Sequence, residues 1–321
     1  MANIETRSLG KTDIQVTPIG LGVMDFSGGG GLMGRAFPII PQEEKTAIVK
    51  AALDGGINWF DTAELYGAGV SERSLSDALK ALGKSDDDVV IATKWFPLFR
   101  TARNIPSTIQ DRINYLDGYS IDLYMVHQPM SFSSPEAEMN AMADLVEAGV
   151  IRSVGVSNFG PERMRRAHKA LAKRVLPLAV NQVQYSLLHR EIETDGTLET
   201  AKELGVTIIA YSPLAVGVLS GKYHKNPGLL KSKQFFYRNR IQRDLESSAP
   251  LIAGLEKIAE KHNATPAQVA LNWLVNFNGE TVVAIPGAKK AHQSAESAGA
   301  LHFKLSQDEM TQLDELSRSF R

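Results

Sequence analysis

The chain contains no cysteine, which excludes disulfides, thiolate nucleophiles and cysteine-ligated metals and fits a reducing compartment. It also lacks any surplus of charge. Lysine and arginine total 35 against 36 aspartate and glutamate, a formal net charge of -1, so no global field draws nucleic acid or an anionic membrane, and any anion site must be local. No run approaches the roughly 18 consecutive apolar residues of a membrane helix. The start, Met-Ala-Asn-Ile-Glu-Thr-Arg, lacks the basic segment and apolar stretch of a secretion signal. The expectation is a cytoplasmic protein without nucleic-acid or membrane partners. A complete Gly-x-Gly-x-x-Gly turn is missing as well: Ile19-Gly20-Leu21-Gly22-Val23-Met24 stops short of it, which argues against an open, doubly wound dinucleotide-binding sheet.

What is present is a rhythm. Short apolar runs recur at Ile19 to Gly22, Ile57 to Phe60, Val89 to Thr93, Leu123 to Val126, Ser153 to Val156, Ala179 to Val183, Thr207 to Ala210 and Val282 to Ile285. Between them lie segments with helical spacing, among them Ser71 to Leu82, Ser107 to Leu116, Glu136 to Ala148, Pro161 to Ala172, Gly196 to Leu204 and Ala267 to Val275. Pro161 and Pro266 suit a first helical turn, and Gly149 and Gly205 suit helix ends. Runs apolar on both faces, alternating eight times with helices, predict an α/β fold, a single (β/α)8 TIM barrel spanning 1–321. Arg7 to Val16, turning at Gly10-Lys11-Thr12, reads as a hairpin plugging the barrel bottom. Gly28-Gly29-Gly30-Gly31 reads as a flexible margin of the active end. The stretch from Leu214 to Ser248 reads as a long loop after the seventh barrel strand, which at such length is commonly functional.

Three polar residues, Asp61, Lys94 and His127, stand at equal intervals of 33 residues, each directly after one of these runs. In a parallel barrel strand exits share one end, so a carboxylate, an ammonium and an imidazole can converge there. Tyr66 follows five residues after Asp61. Taken singly, these residues read as well as a rim ion pair, a packing tyrosine and a satisfied histidine. Their joint register is what points to a site. Trp95 and Phe96, after Lys94, read equally as an aromatic substrate wall or as packing, and Met139, Met142 and Leu145 as a helical core stripe.

Here the residues carry a family likeness. Asn58-Trp59-Phe60-Asp61-Thr62-Ala63-Glu64-Leu65-Tyr66-Gly67 resembles the signature of the aldo-keto reductase superfamily. So do Lys94, Leu123 to His127, Ile151 to Phe159, Gln182, Tyr211-Ser212-Pro213-Leu214 and Ile285-Pro286-Gly287, a match running from about Leu9 to Leu316. The resemblance implies a barrel that reduces carbonyl compounds with an extended nicotinamide cofactor and no metal. Tyr66 would be the proton donor, with Lys94 lowering its pKa, Asp61 holding Lys94 and His127 orienting the carbonyl. Ser157, Asn158 and Gln182 would bond the carboxamide and Tyr211 would stack on the ring. Gly22 would also bind the cofactor, and Ser212, Leu214, Gly217, Leu219, Gly221 and Lys222 would cross the pyrophosphate. After the last strand, Ile285 and Gly287 lead to Lys289 and Gln293, which would face a 2'-phosphate and favour NADP, while Glu296 would meet adenine. Ser297 stands where the family often has asparagine. Within the same superfamily, the alternative to a small-molecule carbonyl reductase is a redox-sensing regulatory subunit like the potassium-channel β subunits.

One further stretch stands out for its charge. Lys222 to Arg243 carries Lys222, Lys225, Lys231, Lys233, Arg238, Arg240 and Arg243 without one acid, interleaved with Phe235, Phe236 and Tyr237. A same-sign cluster repels itself, so the expectation is a mobile cover that an anionic cofactor orders.

Overall fold

The sheet closes on itself at a seam between its first and last parallel strands. The computed structural model describes residues 4–35, 37–232 and 235–321. Two antiparallel strands, β1 (Arg7–Ser8) and β2 (Gln15–Val16), precede eight parallel ones. These are β3 (Leu21–Gly22), β4 (Trp59–Asp61), β5 (Val90–Trp95), β6 (Ile121–Val126), β7 (Ile151–Ser157), β8 (Leu178–Gln184), β9 (Thr207–Tyr211) and β10 (Val282–Ile285). Each pairs with the next in chain order. Parallel bridges from Ile19 to Ala284 and from Gly22 to Gly287 join β3 to β10 and complete the barrel. The eight expected runs are the eight barrel strands, and the fold is the expected (β/α)8 TIM barrel with an N-terminal hairpin.

Two apolar layers follow from the alternation of side chains along each strand. Inside the barrel, Trp59, Ala92, Leu123, Met125, Val180, Ile209 and Val283 pack with Leu9, Ile14 and Val16 of the hairpin, which plugs one end. Trp59 is fully buried, and its indole N–H donates to the Thr17 carbonyl at 2.9 Å, so burial leaves no polar atom of the ring stranded. Outside, residues such as Phe60, Ile91, Trp95, Tyr124 and Val156 meet the helices, including the stripe of Met139, Met142 and Leu145.

Local sequence explains the helix boundaries. The helix Pro161–Ala172 starts on its proline, whose missing N–H would have been unsatisfied in any case. Thr265 and Gln268 close a reciprocal capping box before Pro266–Asn276. Gly205, at φ 69°, ends Thr197–Leu204 in the left-handed region that glycine adopts without strain. Among the described residues no helix is long and apolar enough to cross a membrane.

Two stretches differ from the sequence expectation. The glycine run is closely packed: a Cβ at Gly30 would stand 2.3 Å from the Gly67 carbonyl oxygen, and one at Gly28 would stand 2.2 Å from that of Pro38. Gly30 therefore lets the β3 loop lie against the segment that follows Tyr66, and Gly28 lets it fold back against Pro38, instead of forming a loose margin. The connection after β9 is long, as expected, yet largely helical, with helices Lys222–Lys225 and Phe235–Lys261. Of the basic stretch, Lys233 lies outside the described residues, as do the side chains of Phe235, Phe236, Tyr237, Arg240 and Arg243.

Candidate active site

Strand register carries the first two polar residues to one level. Asp61 ends β4 opposite Ala92 of β5, and Lys94 lies two residues further along β5, on the same face. Lys94 Nζ donates to Asp61 Oδ1 at 2.6 Å and to the Thr62 carbonyl at 2.8 Å, and both side chains are buried. Gln182 of β8 donates from Nε2 to Asp61 Oδ2 at 2.8 Å, so both carboxylate oxygens are engaged. Burial pulls the pair toward neutrality, raising the Asp61 pKa and lowering that of Lys94, while their mutual contact opposes the shift in each.

Tyr66 and His127 complete the cluster. Lys94 Nζ lies 5.1 Å from the Tyr66 ring centroid. The Tyr66 and His127 rings meet edge-to-face, with centroids 5.6 Å apart. All four residues picked from the sequence thus converge. The acidity of Tyr66 departs from expectation. Its pKa is raised well above the ordinary phenol value, first by burial and then by the negative charge of Asp61, and the Lys94 ammonium does not outweigh them. The consequence is a tyrosine that keeps its proton at neutral pH.

His127 is pushed down to about 3, by burial and by the Lys94 charge. At neutral pH it is an uncharged imidazole, with one N–H to give and one lone pair to accept. A histidine with a depressed native pKa binds a proton more readily when unfolded, so its effect on stability is complete above about pH 6.5 and grows unfavourable as pH falls toward 3. Wild type should therefore lose stability relative to His127→Gln between about pH 7 and about pH 4.5, read from urea midpoints. A gap that does not change with pH would show that His127 titrates normally.

The two aromatics after Lys94 separate. Trp95 is fully buried in the outer core, whereas Phe96 packs edge-to-face on His127 at 6.0 Å and belongs to the site. Glu64, overlooked in the sequence, fixes that wall: its Oε2 accepts the Phe96 backbone N–H at 2.9 Å and its Oε1 pairs with Arg100 at 2.6 Å. Behind it, Glu72 is buried against Arg112 and Thr93, and burial raises its pKa to about 7. Glu64 and Glu72 were visible as acids in or near the signature. Their partners were not, because Arg100 and Arg112 reach them only across the fold.

The residues expected to hold a cofactor form three groups. In the first, Tyr211 Oη donates to Asn158 Oδ1 at 3.1 Å, Asn158 Nδ2 to Ser157 Oγ at 3.0 Å and Ser157 Oγ to the Gln182 carbonyl at 2.9 Å. Gln182 links this chain to Asp61. In the second, after β9, Ser212, Ala215, Val216, Gly217 and Gly221 all have positive φ. A β-branched residue there is a genuine outlier, and Ala215, Val216 and Gly217 in succession form a left-handed run of backbone. Leu214 stands at the head of this turn, Leu219 is buried within it, and Lys222 opens the helix beyond. In the third, at the seam, a Cβ on Gly22 would stand 3.1 Å from the Ile285 carbonyl. Lys289 follows Gly287, and its backbone N–H donates to Gln293 Oε1 at 2.8 Å. Glu296 is half-buried in the helix Ala291–Gly299, where Ser297 is buried. An amide-bearing shelf beside the cluster, a left-handed backbone run and a lysine at a helix start fit the parts of a phosphorylated dinucleotide.

Comparison with known proteins gives the family. The model of the aldo/keto reductase family matches residues 18–318. The chain belongs to that family. Among its relatives, an uncharacterized oxidoreductase of Mycobacterium tuberculosis is 37% identical, covering 96% of this chain and 91% of the relative. The chloroplastic pyridoxal reductase of Arabidopsis thaliana is 32% identical over 94% of this chain and 83% of its own length. The crystal structure of a thermostable aldo-keto reductase with the inhibitor epalrestat superposes with a TM-score of 0.76 at 30% identity, covering 98% of this chain and all of the other. This aldo-keto reductase is therefore an oxidoreductase by family, with its polar cluster at the strand exits of the barrel.

Proposed function

We propose that this aldo-keto reductase reduces aldehydes or ketones with NADPH, with Tyr66 as general acid. The observation that carries the reading is the buried Lys94–Asp61 pair at 2.6 Å, held beside a protonated Tyr66 and a neutral His127. A nicotinamide dinucleotide, when bound, supplies the hydride. Tyr66 supplies the proton to the carbonyl oxygen, and its raised pKa keeps that proton in place at neutral pH. Transfer leaves a phenolate in a buried site. Lys94 answers that charge: two of its three N–H groups are committed to Asp61 and Thr62, and the ammonium sits beside the Tyr66 ring. Asp61 and Gln182 fix Lys94 in turn. His127, uncharged, donates to the carbonyl oxygen and orients it without competing as an acid, and Phe96 holds the imidazole plane. The reading is tested by following NADPH absorbance with aldehydes, ketones, quinones and sugars. Steady turnover of at least one class is expected, and binding of NADPH without turnover of any would instead fit a redox sensor.

Preference for NADPH over NADH would rest on Lys289, because an ammonium facing a phosphate forms a charge-assisted bond that NADH cannot match. Lys289→Ala should narrow the NADPH/NADH affinity ratio by about tenfold, read by fluorescence titration. An unchanged ratio would remove the assignment.

A further inference from the structure

Lys289 is not presented alone. Asp25, on the short turn Met24–Ser27 after β3, places Oδ1 3.3 Å from Lys289 Nζ. Its Oδ2 stands 3.4 Å from where a Cβ on Gly287 would lie, so the carboxylate spans the barrel seam above the backbone that leads to Lys289. The turn has little freedom: Phe26 and Ser27 are buried, and the Val23 backbone before it donates to the Asp61 carbonyl at 2.9 Å. The next lysine is paired in the same way. Lys290 Nζ lies 3.2 Å from Glu44 Oε2, and Glu44 Oε1 accepts the Ala291 N–H at the start of the following helix. Two carboxylates thus neutralise the corner where a 2'-phosphate would sit.

We infer that Asp25 is a cofactor-discriminating residue that restrains Lys289 and opposes the adenosine 2'-phosphate. The inference rests on the dinucleotide reading above. A phosphate entering this corner must draw Lys289 away from an existing partner and lie near a fixed negative charge, so it gains less than the lysine alone would provide. A ribose that keeps its 2'-hydroxyl meets no such opposition, because a hydroxyl can donate to a carboxylate. Selectivity is set by the repulsive group as well as the attractive one.

The test is a binding cycle on wild type, Asp25→Asn, Lys289→Ala and the double variant, titrated with NADPH, NADH, 2',5'-ADP and 5'-AMP. Asparagine keeps the size of the side chain and its hydrogen bonding while removing the charge. Asp25→Asn should tighten NADPH and 2',5'-ADP by about five- to twentyfold, while NADH and 5'-AMP change less than about twofold. In the Lys289→Ala background the gain should fall to less than half, because part of it comes from releasing the lysine. An unchanged NADPH/NADH ratio in a variant that still binds both, or an equal gain in both backgrounds, would overturn the role of Asp25 alone. Wild type that binds neither dinucleotide would overturn the cofactor reading, and this inference with it.

Discussion

Tyr66→Phe should lower carbonyl turnover by about two to four orders of magnitude, the usual loss for a positioned general acid, while cofactor affinity stays within about twofold. The substitution removes one oxygen and keeps the ring, so the edge-to-face contact with His127 and the position over Lys94 are preserved. The loss should fall on kcat more than on KM, because the proton moves in the transition state rather than in binding. Near-normal turnover in the variant, with chemistry shown to limit the rate, would mean that another group supplies the proton.

Lys94→Met should be the most damaging change to the fold among the four. It removes one partner of a fully buried ion pair and leaves Asp61, 1% exposed, with Gln182 as its remaining side-chain donor. Breaking such a pair from one side costs about 3–5 kcal/mol, because an uncompensated charge stays buried. Adding Asp61→Asn should recover part of that stability and none of the activity. The recovery distinguishes loss of a charge balance from simple loss of packing. Equal denaturation midpoints for the single and double variants would contradict the electrostatic account.

Sequence and structure agree where one physical pattern dominates. The barrel strands were legible because parallel strands buried on both faces read as continuous apolar runs, and Pro161–Ala172 because its proline marks the start. Asp61, Lys94 and His127 were legible because their spacing follows strand exits, and Tyr66 because it stands five residues after Asp61 in the family signature. Trp95 and Phe96 could have been separated from the sequence: if Lys94 points inward, period two sends Trp95 outward into the helix layer. The acidity of Tyr66 does not follow from its proximity to an ammonium in the sequence pattern, because burial is the larger effect here. The helix Phe235–Lys261 begins inside the stretch that reads as a loop, which ends at Ser248, because its first turns are basic and aromatic, with no clean apolar stripe. Asp25 was invisible as a partner of Lys289, since they meet only when the first and last strands close the barrel.

The central claim is that this buried cluster drives hydride and proton transfer to a carbonyl. It is tested most directly by single-turnover transfer from NADPH deuterated at the nicotinamide C4, with the carbonyl class that consumes NADPH in steady state. The expected result is deuterium on the carbinol carbon at a rate that falls at least about a hundredfold in Tyr66→Phe at equal cofactor occupancy. Deuterium transfer at the wild-type rate in that variant, or bound NADPH that delivers deuterium to no carbonyl, would contradict it.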